Sequence, residues 1–124
     1  MRRAPFLASA LLAACVWSSV GATPPPPQVH AEIAKLIQVL RDSGCQFNRN
    51  GSWYTGAEAQ AHLARKLEYL EGKSLVESTE DFINLGASNS SVSGKPYLVR
   101  CGDSQPVESR TWLEEQLKRL RQGN

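Results

Sequence analysis

The sequence predicts a small α+β domain, in which about four helices pack with a three-stranded antiparallel sheet (a hairpin plus one strand) and one disulfide. Three observations carry that prediction. Apolar residues recur at the helical period in four separate stretches. The pair Asn50-Gly51 stands between two short runs with aromatic residues, the strongest local signal for a tight hairpin. Two cysteines, Cys45 and Cys101, fall at the hairpin and at the later strand.

The first helix is expected from about Gln28 to Ser43, because Val29, Ile33, Leu36, Ile37 and Leu40 share one face and Gly44 is a suitable stop. The hairpin follows, with Cys45–Arg49 and Ser52–Tyr54 as its arms. Thr55 and Glu58 form a capping-box pair for the second helix, whose buried stripe is Ala59, Leu63, Leu67 and Leu70, through to Gly72. A short third helix follows Ser78, with Asp81 as capping partner, Phe82, Ile83 and Leu85 as apolar contacts, and Gly86 at its end. Ser88 to Gly94 reads as a loop by composition.

Pro96 then opens a strand, Tyr97 to Cys101, with Tyr97, Val99 and Cys101 on one face and Leu98 and Arg100 on the other. The last helix, about Glu108 to Arg121, buries Trp112, Leu113, Leu117 and Leu120. Glu114 with Lys118 and Glu115 with Arg119 are favourable i,i+4 pairs on its wet side. The aromatic residues Phe47, Trp53, Tyr54, Phe82, Tyr97 and Trp112 are assigned to the core, since a domain this small needs their area.

Ahead of this domain the chain has a different character. Arg2 and Arg3 precede an apolar run from Pro5 to Trp17, and Val20-Gly21-Ala22 supplies small residues at a cleavage position. Residues 1–22 therefore read as a signal peptide, residues 23–27 as a stiff Pro-rich spacer, and residues 28–124 as one globular domain. The address expected is periplasmic or secreted. The alternative is a lipoprotein anchored at Cys15, because Leu12-Ala13-Ala14-Cys15 resembles a lipobox. Without Arg2 and Arg3 the 14 basic residues fall to 12, equal to the 12 acidic ones. A neutral chain lacking a basic stripe is a poor partner for nucleic acid. Without Cys15, Cys45 and Cys101 are an even pair in an oxidising compartment and are expected as a disulfide, two separate buried thiols being the alternative.

Cys45-x-Phe47-x-Arg49-Asn50-Gly51-x-Trp53-Tyr54, with Gly56-Ala57-Glu58-Ala59, His62-Leu63 and Lys66-Leu67, resembles the hallmark of a small exported proteobacterial family of unknown function. Thr79 to Ile83, then Ser90-Ser91-x-Ser93-Gly94-Lys95-Pro96-Tyr97 and Arg100-Cys101, resemble its second half. The resemblance implies bacterial origin, a periplasmic address and paired cysteines. It implies no reaction.

Arg49, His62, Arg65 and Lys66 are the first candidates for chemistry. His62 and Lys66 lie one helical turn apart, and the hairpin's Arg49 can approach them to form a pocket for a carboxylate or phosphate. Ser90, Ser91 and Ser93 would add hydroxyls, with Lys95 and Tyr97 completing the candidate set. The plainer alternative has His62 at a helix edge, bonded to backbone, and the cations solvated.

No metal site is expected, because His30 and His62 have no close ligand pair. Ser93 and Lys95 lack the helical Ser-x-x-Lys spacing, and neither a nucleophile elbow nor a phosphate-binding loop is present. Ser93-Gly94-Lys95-Pro96-Tyr97 is similar to the Ser-Gly-x-x-Tyr loop of periplasmic lysozyme inhibitors, which enters the enzyme's cleft. The reading is a non-enzymatic module without cofactor, binding an anionic ligand or an envelope protein and meeting membrane only if Cys15 is lipidated. A lysozyme-inhibitor-like role and a small envelope hydrolase are the alternatives.

Overall fold

Proline at the start of a helix lacks only an amide that would be unpaired there anyway, so Pro27 opens helix α1, Pro27–Asp42. The expected spacer therefore ends one residue earlier than its composition indicates. The computed structural model describes residues 5, 13–15 and 26–123. The expected signal segment, apart from residues 5 and 13–15, lies outside the described residues, as do residues 23–25 of the spacer and Asn124. Among the described residues Cys15 is an exposed free thiol, and no helix is long and apolar enough to cross a membrane.

Gly44, in the left-handed region at φ 72°, turns the chain into strand β1, Gln46–Arg49. Asn50 and Gly51 follow at φ 52° and 85°, the pair of positive angles that a two-residue hairpin turn needs, and β2 is Ser52–Tyr54. Thr55 Oγ1 accepts from the Glu58 amide at 3.2 Å to start α2, Gly56–Gly72. In α3, Thr79–Gly86, Ser78 caps the Asp81 amide while the Asp81 carboxylate accepts from the Glu77 amide. Strands β3, Leu98–Arg100, and β4, Val107–Glu108, precede α4, Ser109–Arg121.

The sheet is antiparallel with order β2-β1-β3-β4. The fourth strand corrects the expected three. Two residues carry no alternation to read, and Glu108 reads as the start of the last helix; β4 exists because the open edge of β3 pairs Leu98 with Glu108 and Val99 with Val107. Cys45 and Cys101 form the disulfide, at the end of the sheet where Gln46 pairs with Arg100.

The core joins Ile33, Leu36 and Leu40 of α1 to Leu63 and Leu67 of α2, Phe82 and Ile83 of α3, Phe47 and Val99 of the sheet, and Leu113 and Leu117 of α4. Leu85, expected among the core contacts, is half exposed, and Val29, Ala59, Trp112 and Leu120 are only partly buried at its margin. Trp53 likewise lies outside the core, where Arg100 stacks on it at 4.1 Å from the ring centre. On α4, Glu115 pairs with Arg119 as expected, but Glu114 pairs with Arg110 rather than Lys118. Arg121 closes the helical layer by binding Glu32 of α1 and Glu80 of α3, and its hydrogen bonds hold both carboxyls below their usual range.

Candidate functional site

Alternation along β1 puts Arg49 on the same side as the buried Phe47, the side that faces α2. Alternation back from Val99 puts Tyr97 on that side too. From α2, His62, Arg65, Lys66 and Tyr69 project on one face, because they are spaced three and four residues apart. The structure brings these elements together over a groove with two compartments. The inner one, about 270 Å³, lies between α2 and the sheet; the outer one, about 310 Å³, is bounded by α2, the hairpin turn and the serine loop. Arg49, His62, Arg65 and Tyr97 line both.

At the boundary, an Arg49 Nη1 approaches His62 Nδ1 at 2.6 Å. Burial, first of all, pushes the His62 imidazole down to about 4, and the Arg49, Lys66 and Arg65 cations push the same way. The ring is therefore neutral at pH 7. An arginine cannot accept, so Nδ1 accepts from Arg49, which assigns the ring proton to Nε2. The 3.4 Å approach of Nη1 to Nε2 is then a contact and not a second bond. Nε2–H donates to the Tyr97 hydroxyl at 3.3 Å, and Lys66 Nζ donates to the same oxygen at 3.1 Å. With both lone pairs of that oxygen engaged, the Tyr97 O–H proton is left to donate elsewhere. Arg49 also lies 4.9 Å from the centre of the Tyr54 ring.

Among the described residues no carboxylate forms an ion pair with Arg49, Arg65 or Lys66. The outer compartment is lined by those three cations, Asn50 and Ser91, with the exposed Tyr69 and Val92 at its rim. Such a set presents several charge-assisted donors to one small volume.

The serine loop is less available than its composition implies. Ser88 is buried, its hydroxyl donating to the Ile83 carbonyl. Ser90 is also buried; its oxygen accepts from the Val92 and Ser93 amides, so it shapes the turn while lining the pocket. Ser93 donates to Asn50 Oδ1 at 2.5 Å and lies outside the groove. Lys95 is exposed, does not line either compartment, and meets Ser93 through its backbone amide. Of the expected set, Ser93 and Lys95 are thus not brought to either compartment, because the backbone bonds of Ser90 with Lys95 and Gly94 fold the loop back on itself. Arg49, His62, Lys66, Ser90, Ser91 and Tyr97 remain. The helical spacing of Tyr69 from Lys66 could have added it; nothing local marks Asn50, Val92 or the inner compartment. Among the described residues no three His, Cys, Asp or Glu side chains cluster as a metal site would require.

The depressed imidazole makes a pH prediction. Below about pH 6.5 the unfolded chain takes up a proton that the folded His62 refuses until about pH 4. The His62 contribution to stability should therefore fall as pH drops through that window and level off below it, where the carboxyls of Glu32 and Glu80, held low by Arg121, carry the further loss. Melting temperatures of the wild type and His62→Gln across the window check this; equal slopes would remove His62 as the cause.

A model of a family of unknown function (DUF5329) matches residues 27–121. A protein of Salmonella typhimurium, named "Uncharacterized protein YfeK", is 33% identical over 88 residues, covering 70% of this chain and 68% of that protein. No solved structure matches.

Proposed function

This chain belongs to that family of unknown function (DUF5329), and we propose from its site that it is an exported, non-enzymatic module that binds an anionic small molecule. The observation that carries the reading is the convergence of Arg49, Arg65 and Lys66, free of carboxylate partners among the described residues, around a neutral histidine and a tyrosine hydroxyl. A buried carboxylate partner would have made the cluster a structural ion pair. Its absence leaves the charge to be met by solvent or by a ligand.

Titration calorimetry with inorganic phosphate tests the reading. Arg49→Ala is expected to weaken binding about tenfold or more, because a hydrogen bond to a charged group contributes roughly 1.5–3 kcal/mol. Folding stability should fall by about 1–3 kcal/mol, the scale of the charge-assisted contact that Arg49 makes with His62 and of its approach to Tyr54. A fall in melting temperature without any change in binding would make Arg49 structural.

A loop that enters a lysozyme cleft is favoured by Val92, which is 95% exposed at the tip. It is disfavoured by the bond that ties Ser93 to Asn50 and by the burial of Tyr97. Inhibition of a lysozyme that Ser93→Ala relieves would establish that role in place of ours; ester or phosphate turnover lost in Lys95→Ala would make the protein an envelope hydrolase. Export itself rests on the signal pattern of residues 1–22. Intact mass should show a chain starting at Thr23, whereas an acylated start at Cys15 would make it a membrane-anchored lipoprotein.

A further inference from the structure

We infer that the ligand is an amphiphilic anion with a single charged head, its apolar body entering the inner compartment while its head lies at Arg49 and Lys66. The inference rests on the anion-binding reading and adds the substrate class. The inner compartment, about 270 Å³, is walled by Leu40, Phe47, Tyr54, Leu63 and Leu98. It opens to the cationic compartment along the Arg49–His62–Tyr97 boundary, so one molecule can reach both. Together the two spaces lie within the roughly 300–1,000 Å³ typical of small-molecule sites.

An inorganic anion would fill only the outer part and leave this apolar recess hydrated. Burying methylenes there gains about fourfold in affinity for each one. Arg49 suits the boundary, because its guanidinium carbon lies over the Tyr54 ring while one of its nitrogens donates to His62. The charge must sit at one end. Glu58 lines the inner compartment but not the outer one, where Arg49, Arg65 and Lys66 converge, so negative charge is favoured at the outer end.

Calorimetry of the full domain with inorganic phosphate, hexyl phosphate and 1-hexanol tests the inference. Hexyl phosphate should bind at least tenfold tighter than either of the others. Ala59 lines the inner compartment. Ala59→Phe should bring hexyl phosphate down to the affinity of inorganic phosphate without altering the latter. Methyl NMR of the wild type gives a readout independent of that variant's folding: the Leu40, Ala59 and Leu63 methyls, all lining the inner compartment, should shift with hexyl phosphate and not with inorganic phosphate. Equal affinities for the two phosphates, with unmoved methyls, would overturn the amphiphile while leaving the anion site standing. Hexanol binding as tightly as hexyl phosphate would overturn the head-group assignment. Failure of both phosphates to bind would overturn the anion site and this inference together.

Discussion

Replacing Cys45 and Cys101 by alanine is expected to lower folding stability by about 2–4 kcal/mol and the melting temperature by roughly 10–25 °C. The two cysteines are 56 residues apart in sequence, so their bond removes a large loop's freedom from the unfolded chain. Chain-entropy reasoning places the upper end near 4 kcal/mol for such a loop. In the folded state the bond adds little that the sheet does not already impose. Gln46 and Arg100, the adjacent residues, are paired across β1 and β3 and joined by a side-chain hydrogen bond at 2.6 Å. The double variant should therefore fold to the same sheet and retain the groove, with the loss appearing as a lower melting temperature. Thermal melts of the wild type with and without reductant, beside the variant, check this. Coincident melts would show that the bridge carries no stability. Loss of all sheet structure in the variant at low temperature would show instead that the ladder depends on the bond.

Gly56→Ala is expected to cost about 1–3 kcal/mol, the range for forcing an added methyl into a packed contact. Gly56 is the first residue of α2 and sits directly on the last turn of α1. A Cβ there would overlap the Arg41 carbonyl oxygen and lie 3.0 Å from its carbonyl carbon. Backbone at the end of a helix cannot swing aside as a side chain can, so the start of α2 must move. Because His62 and Lys66 ride on the same helix as Gly56, their placement against Arg49 and Tyr97 should loosen as well. Phosphate affinity is then expected to fall together with stability. Gly72→Ala is the control, since nothing lies within 4 Å of its added methyl. In the last turn of α2 it should be neutral, or stabilise by up to about 1 kcal/mol through helix propensity and reduced freedom of the unfolded chain. Chemical denaturation of the two variants side by side decides the matter. Similar stabilities would mean that the α1–α2 junction tolerates the methyl and that close approach is not what Gly56 provides.

The four helices, the hairpin and the strand after Pro96 were legible because their signals are local. Periodic apolar residues, the Thr55 and Ser78 caps and the Asn50-Gly51 turn each act within a few residues of the backbone they shape. Cysteine parity within an expected oxidising compartment likewise pointed to the disulfide. Part of the site was legible for the same reason: helical spacing places His62 beside Lys66, and strand alternation places Arg49 on the side of Phe47. What the sequence by itself determined is thus which elements form and which face each residue takes. Only the tertiary structure decided which faces meet. Arg49 and His62 are 13 residues apart and His62 and Tyr97 are 35 apart, distances over which no periodicity carries. The same holds for β4, which needs the edge of β3, and for the serine loop, whose own backbone bonds bury Ser90 and turn Lys95 away. The inner compartment is the clearest case, because it is a space that remains between α2 and the sheet, and a cavity is a property of packed surfaces with no residue pattern of its own.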